Sequence, residues 1–240
     1  MLNEVVASMF IKKTVVASII GKDIEEQTKT FGTFSDDLYQ LVGWLQNNGI
    51  THIAMESTGV YWKPIYSILE DFFKIILVNA RHIKNVPGHK TDKKDSEWIA
   101  KLLMSGLLKA SFVPPQHIRE LRTLHRHHRK LVGQRTSEKN RLQNILEDAN
   151  IKLGSVITDV FGATGKAIIK ALINGIVDPV QLSDMAKGSL KRKKDDLKKA
   201  LTGKITEHHR FMLSCIVNTI NHLNDQIALL EARMETTHKV

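Results

Sequence analysis

The sequence predicts an α/β domain followed by an all-α segment that ends in a coiled coil. Three observations support this fold class. Short β-branched runs alternate with helical stripes at the start of the chain, a long basic helical pattern follows, and an apolar heptad pattern comes last. We therefore expect three parts, an α/β domain over 1–113, a basic helical region over 114–204 and a coiled-coil segment over 205–240.

Three antiparallel strands are predicted in the first part of the chain. Apolar and β-branched runs lie around Val5–Ala7, Thr14–Ile20 and Thr28–Phe31, and polar residues separate them. A helix follows from Ser35, and the Asn47-Asn48-Gly49 sequence is typical of a helix end.

Strands and helices then alternate. A strand is predicted over Ile50–Met55, a helix begins at Lys63, a strand covers Ile75–Val78, and a further helix begins near Asp92. Three strands followed by this alternation is the element order of an RNase H-like α/β domain. Glu56 falls at the carboxyl end of a central strand, where open α/β sheets carry their sites.

Asp92 and Asp95 lie at the start of that last helix and share one of its faces. One interpretation is that they cap the helix and complement its dipole. The other is a Mg²⁺ site, because two neighbouring carboxylates repel each other and a divalent cation relieves the repulsion. Glu56 supplies the additional carboxylate, so Glu56, Asp92 and Asp95 are the candidate metal-binding and catalytic residues for phosphoryl transfer.

A long basic helix is predicted from Gln116 to Ala149, after the Pro114-Pro115 break. Its cations recur every three or four residues, with few acids and several histidines between them. Such a run is often a solvated face, but here we expect it to contact phosphates. The candidate nucleic-acid-binding residues are Arg119, Arg122, Arg126, Arg129, Lys130 and Arg135.

Two further patterns concern the second half of the chain. Phe161–Lys166 is superficially similar to a phosphate loop, but it is too short and has Ala167 in place of a hydroxyl, so we expect a joint between helices. From Leu213 to Met234 the apolar residues recur in alternating steps of three and four, which predicts a coiled-coil seam and a homo-oligomer formed through 213–234. The alternative is an amphipathic helix packed on its own domain.

Composition restricts the function. The formal net charge of +10 and the pI of about 9.6 favour a polyanionic partner such as nucleic acid. Cys215 is the only cysteine, which excludes an intrachain disulfide and a cysteine-based zinc finger. Since no apolar run reaches the roughly 18 residues of a membrane span and the start of the chain does not resemble a signal peptide, we expect a cytoplasmic protein without a membrane partner.

Several motifs together resemble the DEDD transposases of the insertion-sequence 110 family, over essentially the whole chain. They are Met55-Glu-Ser-Thr-Gly-Val-Tyr-Trp62, Val78-Asn-Ala-Arg-His82, Lys90-Thr-Asp-Lys-Lys-Asp-Ser-Glu-Trp98, Ile118-Arg-Glu-Leu-Arg122 and His208-His-Arg-Phe211. The resemblance implies that 1–113 is a RuvC-like nuclease domain with Mg²⁺ held by a carboxylate tetrad. It also implies recombination of DNA guided by a structured RNA, with Glu56, Asp92 and Asp95 as the second, third and fourth acids.

The chain departs from the family pattern at two places. The family opens with a Gly-Ile-Asp-Val-His-Lys-like strand, whereas Ser8-Met9-Phe10-Ile11-Lys12-Lys13 has no acid, and we expect Phe10 to replace the first Asp. The family also has a C-terminal domain with a catalytic serine, which we expect this chain to lack.

These observations predict an insertion-sequence transposase for Mg²⁺-dependent DNA cleavage and strand exchange, truncated and impaired in this chain. The alternative is a non-catalytic, oligomerising remnant that binds nucleic acid. A DEDD exonuclease is a third interpretation, although its initial Asp-x-Glu pair is missing from the first strand.

Overall fold

The structure, a computed structural model, describes residues 4–11, 14–21, 25–57, 59–79 and 92–237. The side chains of residues 4–11 and 92–95 lie outside this description.

The chain divides into two compact units, Met1–Pro114 and Pro115–Val240. The basic helical region and the segment 205–240 lie together in the second unit.

The first unit contains a five-stranded mixed sheet in the order β3-β2-β1-β4-β5. β1 pairs antiparallel with β2 and parallel with β4, β2 pairs antiparallel with β3, and β4 pairs parallel with β5. The predicted succession of three antiparallel strands and then two more strands separated by helices is confirmed. The strands are β1 Glu4–Ile11, β2 Thr14–Gly21, β3 Gln27–Phe31, β4 His52–Glu56 and β5 Lys74–Val78.

Among the described residues, three helices accompany this sheet at the predicted places, namely α1 Ser35–Asn47, α2 Trp62–Leu69 and α3 Asp92–Met104. α1 begins where an Asp37 carboxylate oxygen accepts a hydrogen bond from the Phe34 N–H at 3.3 Å. It ends at the predicted Gly49, whose positive φ of 70° is readily adopted only by a residue without a side chain.

The two faces of the sheet carry separate apolar cores. Because side chains alternate along a strand, Ala17, Ile53 and Met55 pack with the helices α1 and α2. Ala54 and Val78 point the other way and pack with α3.

The second unit is all-helical. Its helices are α4 Gln116–Asp148, α5 Leu153–Val156, α6 Ala163–Ile173, α7 Pro179–Asp184, a 3₁₀ helix at Gly188–Lys193, α8 Lys194–Ala200 and α9 Glu207–Thr237. The expected joint at Phe161–Lys166 is confirmed, since α6 starts within it. Gly165 is required there, because a Cβ on this residue would lie 1.9 Å from the Val160 carbonyl oxygen.

The two long helices α4 and α9 pack antiparallel. Three polar contacts join them in order along their length, from Asp148–His209 at 2.9 Å through Arg135–Asn224 at 3.0 Å to His128–Glu231 at 2.9 Å. Most of the predicted seam is buried within the chain, namely Leu213, Ile216, Ile220, Leu223, Ile227 and Met234. An amphipathic helix packed on its own unit therefore describes α9, and pairing between chains through 213–234 stays a prediction.

Among the helices described, none is long and apolar enough to cross a membrane.

Candidate metal centre and nucleic-acid interface

Glu56 is a buried carboxylate at the edge of the sheet that is formed by the carboxyl ends of the parallel strands. It is the last residue of β4, which lies between two parallel neighbours, and only 5% of its surface is exposed. The pairing of β4 with β5 continues one residue beyond Glu56, since the Ser57 N–H donates to the Val78 carbonyl at 2.9 Å. Glu56 is two positions along the strand from Ala54, so it lies on the face of the sheet that α3 covers.

Helix α3 is fixed to the same face by a buried hydroxyl contact. The Ser96 and Ser18 hydroxyl oxygens lie 2.6 Å apart, and Ser18 also contacts the Thr28 hydroxyl at 2.8 Å. Both serines are fully buried, so this contact sets where the first turns of α3 meet the sheet. This contact could not be predicted from local sequence patterns, because 78 positions separate the two serines.

The direction of α3 brings its first residues toward the edge that carries Glu56. Ser18 pairs with Ala7 in β1, and Ile20, which packs with the later part of α3, pairs with Val5. α3 therefore runs opposite to β1, and the backbone of Asp92 and Asp95 lies toward the carboxyl ends of β1 and β4. The side chains of both aspartates lie outside the described residues.

The strand register bears on which position of β1 lies beside Glu56. Ser8 pairs with Met55 in β4, so the next step along these parallel strands puts position 9 beside Glu56. Position 10 pairs with Val15, which is buried in the core under α1 and α2. The register favours Met9 over Phe10 for the position beside Glu56, and the replacement of the first acid by Phe10 stays a prediction.

The donor set at this edge fits Mg²⁺ in part. Carboxylate oxygens are the ligands that this ion prefers, and Glu56 with two aspartates at the start of α3 would supply three carboxylates. The part of β1 near Glu56 supplies none, since positions 8–10 are Ser, Met and Phe. Among the side chains that the structure describes, no group of three or more His, Cys, Asp or Glu residues could hold a metal, and Asp92 and Asp95 are outside that set.

Helix α4 carries the predicted cations on the side away from its core contacts. Four of the six are exposed, namely Arg122, Arg126, Arg129 and Lys130. They share one face, opposite the buried Leu131 and Leu142, and we call these four residues the cationic stripe. Over its length, about 12 Å at 1.5 Å per residue, the described part of α4 presents no carboxylate on this face.

The two remaining predicted cations differ from the stripe. Arg135 is half-buried, and its guanidinium donates to the Asn224 carbonyl oxygen across the α4–α9 contact. Arg119 is also half-buried and has a partner within the protein. His128, read from the sequence as a surface or phosphate-binding residue, contacts Glu231. The contacts of Arg135 and His128 join α4 to α9 within the second unit.

Comparison with known proteins decides the family. A family model described as a DEDD transposase of the insertion-sequence 110 type matches residues 11–151, more than half of the chain. The chain belongs to this transposase family. No curated protein matches the chain.

The matched range of this transposase includes Glu56, Asp92, Asp95 and the whole of α4. It begins at Ile11, so positions 9 and 10 of β1 precede it. Sequence reasoning did not bring together three lysines of the second unit that line one groove, Lys139, Lys166 and Lys170. The signal for two of them was their spacing of four residues on one helix.

Proposed function

We propose that this transposase acts on DNA in the movement of an insertion sequence, with its first unit as an RNase H-like, RuvC-like phosphoryl-transfer domain. The observation that carries the proposal is that buried Glu56 lies on the face of the sheet that α3 covers, toward the end of the sheet where α3 begins. The strand order supports the same fold, because β1, β2 and β3 form an antiparallel half of the sheet and β4 and β5 extend it in parallel from the other side of β1.

In the proposed centre, Glu56, Asp92 and Asp95 hold Mg²⁺. A bound Mg²⁺ would stabilise the charge that develops on a phosphodiester as its P–O bond breaks. Glu56 contributes a carboxylate whose position is fixed by the parallel pairing of β4, and the Ser96–Ser18 contact fixes the helix that carries both aspartates. Rigid supports of this kind hold a site ready for its substrate.

The cationic stripe is proposed to hold phosphates of DNA or of a structured guide RNA. Its side chains are exposed, and in the described structure they have no carboxylate within salt-bridge distance. Phosphate contacts of this kind supply affinity without base specificity. The net charge of +10 agrees with a polyanionic partner.

The absence of a carboxylate from positions 8–10 of β1 favours a second candidate function, a non-catalytic nucleic-acid-binding member of the family. Loss of one metal ligand leaves the ion undercoordinated. Removing one positioned charge stabiliser commonly lowers a rate by about 10²- to 10³-fold.

Two measurements on the same samples separate the candidates. We would titrate the full chain with Mg²⁺ by calorimetry and follow cleavage and binding of labelled DNA and structured RNA. For a nuclease, Glu56→Gln and Asp92→Asn abolish metal-dependent cleavage, while the exposed control Asp71→Asn leaves it unchanged. Salt-sensitive binding that survives both site substitutions, without cleavage by any variant, establishes the non-catalytic function.

A further inference from the structure

A half-enclosed groove of the second unit lies between α4, α6 and α9. Its cavity volume is about 590 Å³, within the roughly 300–1,000 Å³ that ligand pockets occupy. Leu142 lines the groove and lies on the core side of α4, so the groove is separate from the cationic stripe on the opposite side of that helix.

One wall of the groove is cationic. Lys166 and Lys170 are exposed, stand one helical turn apart on α6, and have no carboxylate within 4 Å among the described residues. The Lys139 ammonium lies 4.8 Å from the centre of the Phe161 ring, a cation–π contact that keeps both groups at the groove. Three ammonium groups around one cavity attract an anion.

The carboxylate at this groove does not neutralise these lysines. Asp159 is the carboxylate among the described lining residues, and its Oδ1 accepts a hydrogen bond from the Phe161 N–H at 2.9 Å. One carboxylate offsets at most one of the three lysine charges, so the groove keeps an excess of positive charge.

The opposite wall offers neutral amides. Asn218 and Asn221 are exposed, stand one turn apart on α9, and have no hydrogen-bond partner among the described residues. Each amide both donates and accepts, which is the chemistry that recognises the edge of a nucleobase. Asn224, at the end of this wall, is held by Arg135.

We propose that this groove binds an unpaired segment of nucleic acid, with phosphates at Lys166 and Lys170 and a base edge at Asn218 and Asn221. The inference rests on the proposed function for the nature of the partner and adds a second contact surface to it. A duplex turns its bases inward, whereas a single strand can place a base in a groove and its phosphates along one wall. An acidic peptide would engage the lysines and leave the amides without a partner.

The test measures binding of the full chain to labelled single-stranded RNA and DNA of one sequence and to a duplex, by fluorescence anisotropy at low and physiological salt. The double variant Lys166→Ala/Lys170→Ala is expected to weaken single-strand binding roughly tenfold and to lower its salt slope by about 1.4. Asn218→Ala/Asn221→Ala weakens single-strand binding and leaves the salt slope unchanged, because it removes no charge. The matched control Lys187→Ala/Lys191→Ala removes two exposed lysines of the same unit away from the groove.

The outcomes are distinct. Equal losses of single-strand affinity in the lysine variant and in its control would overturn the proposed role of the groove, because net charge alone would then explain the binding. Competition by an acidic peptide as effective as by a single strand would also overturn it. In both cases wild-type binding to nucleic acid leaves the proposed function standing, whereas a wild-type chain that binds no nucleic acid contradicts the proposed function itself. The RNA and DNA arms tell which strand the groove prefers.

Discussion

Substituting Met9 by aspartate tests the register of β1 and the metal centre together. Position 9 lies beside Glu56, so Met9→Asp would bring a fourth carboxylate to the edge of the sheet. Phe10→Asp is the matched control. It introduces the same charge one residue away, at a position paired with the buried Val15.

The expected magnitude follows from the spacing of neighbouring strands. Two carboxylates about 5 Å apart repel by about 3 kcal/mol at an effective dielectric constant of about 20. Without metal, Met9→Asp should therefore lower the melting temperature of the first unit by about 10 °C. A divalent ion reverses the sign, and saturation at about 100 times its Kd restores about 2.7 kcal/mol.

The assay is thermal unfolding followed by circular dichroism, for both variants and the wild type, in EDTA and in Mg²⁺. Met9→Asp should be destabilised in EDTA and recover in Mg²⁺. Phe10→Asp should be destabilised in both, because it puts a charge at a position paired with Val15, whose side chain is fully buried in an apolar core. A Mg²⁺-dependent recovery of Phe10→Asp alone would refute the register argument, and recovery of neither would refute the metal centre.

Three further predictions concern the second unit. Replacing Arg122, Arg126 and Arg129 by alanine should reduce the salt slope of duplex DNA binding by about 2.7 without changing the far-ultraviolet circular dichroism. An unchanged slope would show that these arginines do not contact the DNA. Leu223→Ala should cost about 2–5 kcal/mol of unfolding free energy in denaturant titrations, because its side chain is 8% exposed and packs with Leu131. If the variant instead lowers the mass measured by light scattering and leaves stability intact, the seam joins two chains. Gly165→Ala should prevent cooperative unfolding of the second unit, and a normal melting curve would contradict the close approach to Val160.

Local patterns predicted most of the elements, because each depends on residues close in the chain. The apolar spacing of α4 and the Asn-Gly end of α1 are signals of this kind. The Asp178-Pro179 start of α7 is another, since the Asp178 carboxylate accepts from the Val180 N–H at 3.2 Å. Such features need no knowledge of the rest of the fold.

Register and long-range contacts could not be predicted in the same way. A shift of one residue moves a strand side chain to the other face, so the choice between Met9 and Phe10 needed the pairing with β4. The periodicity of α4 equally marked Arg135 as a surface cation, and only the packing of α9 showed its bond to Asn224. The groove joins three helices from distant parts of the sequence, which leaves no local signal for its whole lining.

The antiparallel contact between α4 and α9 has a consequence for the entropy of binding. α4 extends over 33 residues, about 50 Å, and the polar contacts with α9 hold its backbone in place before any partner arrives. A disordered basic segment must lose its backbone freedom on binding, whereas the arginines of a preformed helix lose only side-chain rotamers. The helix pair is therefore a preorganised support. Less of the free energy of each phosphate contact is offset by ordering the backbone, so more of it contributes to affinity.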